Sequence, residues 1–346
     1  MSHLITSRRL FPILLALTVF ALNQNVFSQT DWSVTNTFHV GGEGGWDYIT
    51  ADASSNRLYV TRTTHTMVID AETGKTIGDI PDQKRSHGVA LVSALNRGFI
   101  TDGGNGVIVV FDLKTNALIG KIPALPDADG IIYDKGTNRV LAVSGDEGAL
   151  MIIDPAADPQ NGKIETRIDL GGAPEFLAAD GTGKAYVNLE DKDLVAVVDL
   201  QQKKVIARWP VAPGGHPVGM AMNNEQHLLF IGCRNPQKMI VMDAKNGKVL
   251  AALPIGEGVD ATKVDSAHAF ASCRDGKLVV VGETAPGKFE VVQTVATLDG
   301  ARTMTMNRKT HTAYLPTAEL EPAKPGSRPM PKAGTFMILV VSQQKK

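Results

Sequence analysis

The sequence is poor in the residues and motifs that carry the commonest covalent and metal chemistry. It has only two cysteines among 346 residues, Cys233 and Cys273. It contains no Cys-x-x-Cys-His segment for covalent haem, no Gly-x-Ser-x-Gly elbow, no phosphate-binding glycine loop and no His-Glu-x-x-His zinc motif. We therefore expect no haem, and no motif assigns the chain to a class of enzyme.

An excess of positive charge is also missing. The chain has 35 Lys and Arg against 36 Asp and Glu, which gives a formal net charge of -1. Non-specific affinity for nucleic acid comes mainly from Lys and Arg that neutralise phosphates. The sequence also lacks a stripe in which basic and aromatic residues alternate. Single-stranded nucleic-acid binding is thus the least favoured of the functions considered below.

The N-terminus has the pattern of an export signal. Arg8 and Arg9 precede an apolar run from Leu10 to Leu22, and Ser28 offers a small residue before Gln29. We expect a signal peptide over residues 1–28 with cleavage after Ser28, and a periplasmic or secreted domain over residues 29–346. The run is shorter than the about 20 residues that span a membrane. An uncleaved anchor is the alternative, and both the general and the twin-arginine export routes fit.

The rest of the chain repeats at intervals of 40 to 45 residues. In each unit an aromatic residue or Leu lies near the end of a short strand pattern, and these seven markers are Tyr59, Phe99, Leu141, Tyr186, Phe230, Phe270 and Tyr314. An apolar run closed by an acid follows the first six, as in Met67-Val68-Ile69-Asp70, and a turn usually comes next. Four short strands in each unit, without helical periodicity, predict an all-β seven-bladed β-propeller with four-stranded blades.

The two ends of the repeat region complement each other. The last unit has three predicted strands and lacks the fourth. The segment from Trp32 to Gly42 resembles the fourth strand of the third unit, residues 164–172. We therefore expect the N-terminal strand to complete the last blade and close the ring without a covalent bond, which also removes exposed sheet edges.

One family resemblance follows from these repeats. Tyr59-Val60-Thr61, followed by Ile69-Asp70 and Thr73-Gly74-Lys75, resembles the YncE-like, YVTN-repeat seven-bladed propellers of bacterial exported proteins, over about residues 31–341. The resemblance implies an exported propeller that binds a ligand or a partner, and it leaves nucleic-acid binding open. The chain is less similar to WD40 propellers, because Trp46-Asp47 opens an inner strand instead of closing a third one.

Ionisable residues recur where the innermost strands begin. Six of the seven equivalent positions are ionisable: Asp47, His87, Asp129, Glu175, Asp260 and Arg302. The fifth unit has Val218 there, with His216 two residues earlier. We predict that these six residues and His216 bind a ligand around the mouth of the central channel, because grouped charges at a cavity are costly unless they pair or bind something. The alternative is that these residues have no binding role and are ordinary polar side chains at the ends of loops, exposed to solvent.

Several uses of this ring remain open at the level of sequence. It can hold a small polar ligand or a protein partner, which makes the chain an exported binding module. It can bind a divalent cation, Ca²⁺ or Mg²⁺, through carboxylates and water. It can also supply acids and bases to a divalent-metal-assisted lyase or hydrolase. No catalytic or metal-ligating residue is singled out, no cofactor is established, and we expect a monomer.

Two further features lie beside the predicted ring. The loops that join the second and third strands add polar residues to the same face, including Arg62 and Arg234. The last of these loops, residues 319–334, carries four prolines and predicts either a cover over the funnel or a mobile surface loop. Cys233 and Cys273 occupy matching positions in neighbouring blades, beyond the about 7 Å between Cα atoms that a disulfide permits, so we expect free thiols.

Overall fold

A computed structural model of the chain describes Met1 and residues 31–323, 327 and 329–344. In these residues, 28 strands form seven four-stranded antiparallel sheets, arranged as the blades of a propeller. The predicted all-β seven-bladed fold is thereby confirmed. The predicted signal peptide lies outside the described residues, apart from Met1. No helix in the described ranges is long and apolar enough to cross a lipid bilayer.

Each blade takes four strands, numbered from the innermost outwards. The first three blades are β2 (Ile49–Asp52), β3 (Arg57–Thr61), β4 (Thr66–Asp70) and β5 (Thr76–Ile80); β6 (Ser86–Val92), β7 (Arg97–Asp102), β8 (Val107–Asp112) and β9 (Leu118–Pro123); and β10 (Ala128–Asp134), β11 (Arg139–Ser144), β12 (Ala149–Ile153) and β13 (Thr166–Asp169). The next two are β14 (Pro174–Ala179), β15 (Lys184–Leu189), β16 (Leu194–Asp199) and β17 (Lys204–Pro210); and β18 (Pro217–Asn223), β19 (Leu228–Arg234), β20 (Gln237–Asp243) and β21 (Val249–Pro254).

The sixth blade is β22 (Val259–Asp265), β23 (His268–Cys273), β24 (Asp275–Ala285) and β25 (Lys288–Asp299). The seventh is β26 (Thr305–Asn307), β27 (Thr312–Thr317), β28 (Met337–Gln343) and β1 (Trp32–His39). β1 runs antiparallel to β28, with Trp32 opposite Gln343 and His39 opposite Met337. The N-terminal strand therefore completes the last blade, as the sequence predicts.

The hydrophobic core lies between the blades. Each pair of neighbouring blades shares one apolar cluster, so that seven clusters fill the seven interfaces. The middle strands contribute most of it; all five residues of β12, for example, are buried. A single blade cannot bury both faces of its sheet, and the ring supplies the second partner for each face.

The closing interface uses the same contacts as an interface inside the chain. Phe38 of β1 packs on Gly74 in the first blade, where a Cβ atom would lie 2.4 Å from the Phe38 ring. Trp209 of β17 packs in the same way on Gly247 in the fifth blade, at 2.3 Å. Both glycines have positive φ angles, +73° and +76°, which L side chains rarely adopt. The glycine of the repeated turn is thus required by its conformation and by the aromatic ring above it.

The acid that closes the third strand has a structural role. Asp70 Oδ1 accepts a hydrogen bond from the Thr73 N–H at 2.7 Å, and Asp112 Oδ1 accepts one from the Thr115 N–H at 2.8 Å. Asp243 accepts the N–H of Lys245 at 2.7 Å. Such side-chain bonds to the following backbone stabilise tight turns. These repeated acids hold the turns and are not candidates for binding.

Candidate functional site

The structure brings the six ring residues predicted from the sequence together at the mouth of the channel. In five blades the ring position lies within a break in strand register between the innermost and the second strand, as between Ser86 and Val89 around His87. The other four breaks are Ala128/Ile131, Pro174/Leu177, Pro217/Gly219 and Val259/Ala261. Bulges of this kind redirect a side chain out of the regular alternation of a strand. The backbone therefore provides a repeated device that presents one residue per blade.

A seventh residue joins them, and it is Arg234 at the end of β19. It belongs to the fifth blade, whose ring position holds the buried Val218. We call the charge ring the set Asp47, His87, Asp129, Glu175, Arg234, Asp260 and Arg302. Every blade thus contributes one ionisable side chain. Sequence reasoning put Arg234 among the polar loop residues of this face and missed its place in the ring, because its long side chain reaches in from the second strand.

His216 lies outside the charge ring. Its Nε2 atom is 3.0 Å from Glu190 Oε2, and its backbone N–H donates to Asp193 Oδ1 at 2.5 Å. The side chain is 43% exposed on the rim of the funnel. Its predicted role as a ligand-binding residue therefore has less support from geometry than that of the other six.

The members of the charge ring contact each other in blade order. His87 Nδ1 lies 2.6 Å from Asp47 Oδ2 and 3.6 Å from Asp129 Oδ1. On the other side, Arg302 Nη1 lies 3.3 Å from Asp47 Oδ1 and 2.7 Å from Asp260 Oδ2.

Arg234 continues the sequence of ion pairs. It pairs with Asp260, and its Nη2 atom is 3.9 Å from Glu175 Oε1. Glu175 and Asp129 are then neighbouring acids without a cation between them. The ring is a closed series of oppositely charged pairs that is interrupted at one point by two acids.

Burial and this arrangement shift the pKa values of three members. Burial, with a further contribution from the charges of Asp129 and Asp260, raises the pKa of Glu175 to about 9. Burial also raises the pKa of Asp129 to about 7, against the opposing charge of His87. Burial lowers the pKa of His87, but the hydrogen bond to Asp47 and the charge of Asp129 outweigh it and raise the pKa to about 9. At neutral pH the ring therefore presents both proton donors and carboxylate acceptors.

Two polar atoms of the ring are buried without a hydrogen-bond partner within the described part of the chain. They are His87 Nε2 and Asp129 Oδ1. Buried polar groups are paired in the great majority of cases, because each unpaired one costs about 1–3 kcal/mol. The two atoms mark the His87–Asp129 side of the ring as the place where hydrogen-bonding capacity is unused.

A cavity of about 660 Å³ opens beside the ring. Arg234 and Arg302 contribute to its wall, together with Trp46. Leu320 and Pro331, which pair with each other as an isolated bridge, form another part of the wall. The described part of the proline-rich segment therefore lies against this cavity.

Arg62 has a structural role instead of the exposed position expected for a loop of this face. Its side chain is buried, and its guanidinium donates to the backbone oxygens of Glu43 at 2.7 Å and Gly45 at 2.9 Å. The guanidinium carbon lies 3.8 Å from the centre of the Phe336 ring. Arg62 therefore fixes the loop that leads from β1 of the last blade into the first blade.

Tyr48 and Phe176 lie directly below the charge ring. Their rings are 5.0 Å apart between centroids. Burial raises the pKa of Tyr48 well above its ordinary value, and the carboxylates of Asp129 and Glu175 raise it further. Both side chains also line the part of the channel that the innermost strands enclose.

Three members of the ring have the donor set of a cation site. Asp47, His87 and Asp129 each offer a ligand atom, and these atoms lie within 4.8 Å of one another. Two carboxylates and an imidazole suit several divalent cations. A cation here would have to displace the proton that Asp47 and Asp129 hold on His87, which opposes binding at neutral pH.

Cys233 and Cys273 are free, buried thiols. Burial raises the pKa of each to about 12. A thiolate is the form that attacks electrophiles and binds metals, so these two side chains contribute packing and no chemistry in the folded protein.

Comparison with known proteins supports the fold and leaves the family open. No protein-family model and no curated protein matches the chain. Among solved structures, the chain is similar to Kuenenia stuttgartiensis Hydrazine Synthase, with a TM-score of 0.68 and 13% sequence identity. The match covers 80% of this chain and 94% of that one. At this identity the likeness concerns the β-propeller fold alone, and membership of the YncE-like family stays a prediction.

Proposed function

We propose that this chain is an exported propeller that binds a small polar ligand at the charge ring and in the cavity beside it. The observation that carries the proposal is the convergence of one ionisable side chain from every blade, with His87 Nε2 and Asp129 Oδ1 left without hydrogen-bond partners. A ring that served only to hold the blades together would leave fewer buried polar atoms unpaired. Export rests on the N-terminal sequence pattern.

The chemistry of the site favours a ligand with both hydrogen-bond donors and acceptors. Arg234 and Arg302 line the cavity and can donate to carboxylate or hydroxyl oxygens, while Asp129 offers an acceptor. Protonated Glu175 adds a donor at neutral pH. Hydroxylated compounds and zwitterions such as free amino acids have this mixture of groups, and apolar compounds do not.

The test is thermal unfolding of residues 31–346 with a monosaccharide, an amino acid and a dicarboxylate in turn. At least one is expected to raise the midpoint, because a ligand that binds only the folded state stabilises it. The rise is expected to disappear in Asp129→Asn and to persist in Glu225→Gln, an exposed acid in the turn after β18 on the opposite face. The proposal fails if none of the three compounds shifts the midpoint, or if the shift survives in Asp129→Asn.

A metal-assisted lyase or hydrolase is the second candidate function. Its support is the Asp47, His87 and Asp129 group, whose ligand atoms lie within 4.8 Å of one another. Ca²⁺, Mg²⁺, Mn²⁺ and Zn²⁺ are added singly in the same unfolding experiment. A rise that grows with pH as His87 loses its proton, and that Asp47→Asn removes, would favour this candidate over the binding module.

A further inference from the structure

The central channel contains a second cavity on the far side of Tyr48 and Phe176 from the charge ring. Its volume is about 480 Å³, and the innermost strands of all seven blades line it. The lining extends to Asn224 and Arg308, which follow the ends of β18 and β26. The cavity therefore opens towards the face opposite the charge ring.

The charges in this cavity have one sign. Its lining includes Lys263 and Arg308 and no acidic residue. Burial and, to a smaller extent, the charge of Arg308 together lower the pKa of Lys263 to about 8. Two cations beside a partly buried cavity repel each other, and the attraction of both to an anion bound between them would offset that cost.

Glu225 at this end of the channel is exposed and lies near Arg308 outside the cavity, and three other acids there are already engaged. Asp52 accepts hydrogen bonds from Ser54 and Ser55, Asp134 from Thr137, and Asp265 pairs with His311 at 2.8 Å. The acids of the charge ring lie beyond Tyr48. Lys263 itself contacts the face of Phe176, with Nζ 4.9 Å from the ring centroid. No described carboxylate therefore pairs with Lys263.

The remaining lining determines what kind of anion fits. It consists largely of apolar side chains, among them Ile132, Met220 and Phe176. A small, strongly hydrated anion such as phosphate would gain no contact with these surfaces. A carboxylate that carries a hydrocarbon or aromatic body would place its charge near Lys263 and Arg308 and bury its apolar part against the walls.

We propose that this lower cavity is a binding site for a small organic carboxylate with an apolar body, which enters from the face opposite the charge ring. The site is independent of the ligand proposed at the ring. Lys263 provides the charge inside the channel, and Arg308, which is exposed and donates from Nε to the Val264 carbonyl at 3.1 Å, provides the charge at its mouth.

The experiment measures benzoate binding to residues 31–346 by calorimetry, with benzamide as the neutral analogue and inorganic phosphate as the bare anion. Benzoate is expected to bind at least about tenfold more tightly than either. Lys263→Met is expected to weaken benzoate binding by about tenfold or more, while Lys135→Met, an exposed lysine in the turn between β10 and β11, leaves it unchanged. Because methionine is apolar and of similar length, Lys263→Met is expected to fold.

A second measurement on the unmodified chain guards against a variant that fails to fold. The charged and phenolic groups that face Lys263 in the cavity are Arg308, Tyr48 and Tyr133. Benzoate affinity is expected to fall as the pH rises through about 8, because Lys263 then loses its charge. Equal binding of benzamide, equal binding of phosphate, retention of affinity in Lys263→Met, or an affinity independent of pH between about 7 and 9.5 would each overturn the proposal.

Discussion

The guanidinium of Arg234 pairs with the carboxylate of Asp260 across the boundary between the fifth and sixth blades. This pair replaces the contact that the fifth blade's innermost strand does not make, since Val218 occupies the ring position there. Arg234 also approaches Glu175, and Asp260 is shared with Arg302. Continuity of the charge ring around the channel thus depends on a residue from a second strand.

Replacing Arg234 tests that continuity. Arg234→Met is expected to lower the free energy of unfolding by about 2 kcal/mol, because it leaves buried Asp260 with Arg302 as its one cation. Denaturant unfolding measures the change. Arg167→Met is the matched control: it removes a surface pair with Glu147 and is expected to cost less than about 1 kcal/mol. Equal losses in the two variants would contradict a special role for Arg234.

The raised pKa of Glu175 makes stability depend on pH. The pKa is about 9 in the folded chain and 4.5 for the ordinary group, so the folded state holds a proton that the unfolded state releases between these values. Stability is therefore lost as the pH rises from about 4.5 to about 9. Glu175→Gln, which stays neutral, is expected to show little difference from the unmodified chain near pH 4 and a free energy of unfolding about 4–5 kcal/mol higher at about pH 8, since each pH unit above about 4.5 costs the unmodified chain about 1.4 kcal/mol. A difference that does not vary with pH would contradict the assignment of the proton to Glu175.

The closing strand can be removed and restored. A chain that begins at residue 43 lacks β1 and is expected to lose cooperative thermal unfolding, because the edge of β28 and the surfaces that Trp32 and Phe38 cover become exposed. A synthetic peptide of residues 31–42 is expected to restore the cooperative transition, with a midpoint that rises with the logarithm of the peptide concentration. A peptide in which Trp32 and Phe38 are both serine serves as the control. An unchanged midpoint after the deletion would refute closure through β1.

The two thiols provide a chemical measure of folding. Cys233 and Cys273 are buried with pKa values raised to about 12, so a thiol reagent at neutral pH is expected to modify neither in the folded chain. Both are expected to react in denaturant without prior reduction. Mass spectrometry of the labelled chain counts the modified thiols. A requirement for reductant would reveal a disulfide and contradict the structure.

The sequence predicts the architecture well because the features that define it are local. Strand periodicity, the acid at Asp70 and its equivalents, and the glycine at Gly74 each specify a turn or a strand by themselves. Counting residues within each repeat was enough to place Asp47, His87, Asp129, Glu175, Asp260 and Arg302 at one mouth of the channel, because equivalent positions in a ring of blades face the same axis.

The features of the site that the sequence does not predict are those that depend on how far a side chain extends from its strand and on how deeply it is buried. Arg234 enters the ring from another strand, and its position beside Cys233, repeated in Cys273-Arg274, was the one visible signal. The neighbouring position of Glu175 and Asp129, which moves their pKa values, depends on distances across blades that are far apart in sequence. In the sequence, Lys263 is an ordinary residue of a strand. Only the lining of the channel cavity, which contains no acidic residue, distinguishes it.

The likeness between the closing interface and the internal ones has a consequence for chain connectivity. Phe38 on Gly74 repeats Trp209 on Gly247, and the Tyr314 hydroxyl bonds to the Ala71 carbonyl at 3.1 Å as the Tyr186 hydroxyl bonds to that of Ala244 at 2.9 Å. A circular permutant that links the two ends of the domain and opens the exposed turn between β16 and β17 would split the fourth blade between its new termini. Its new N-terminal strand, β17, would then find at Tyr186 and Gly247 the same kinds of contacts that now hold β1 in place.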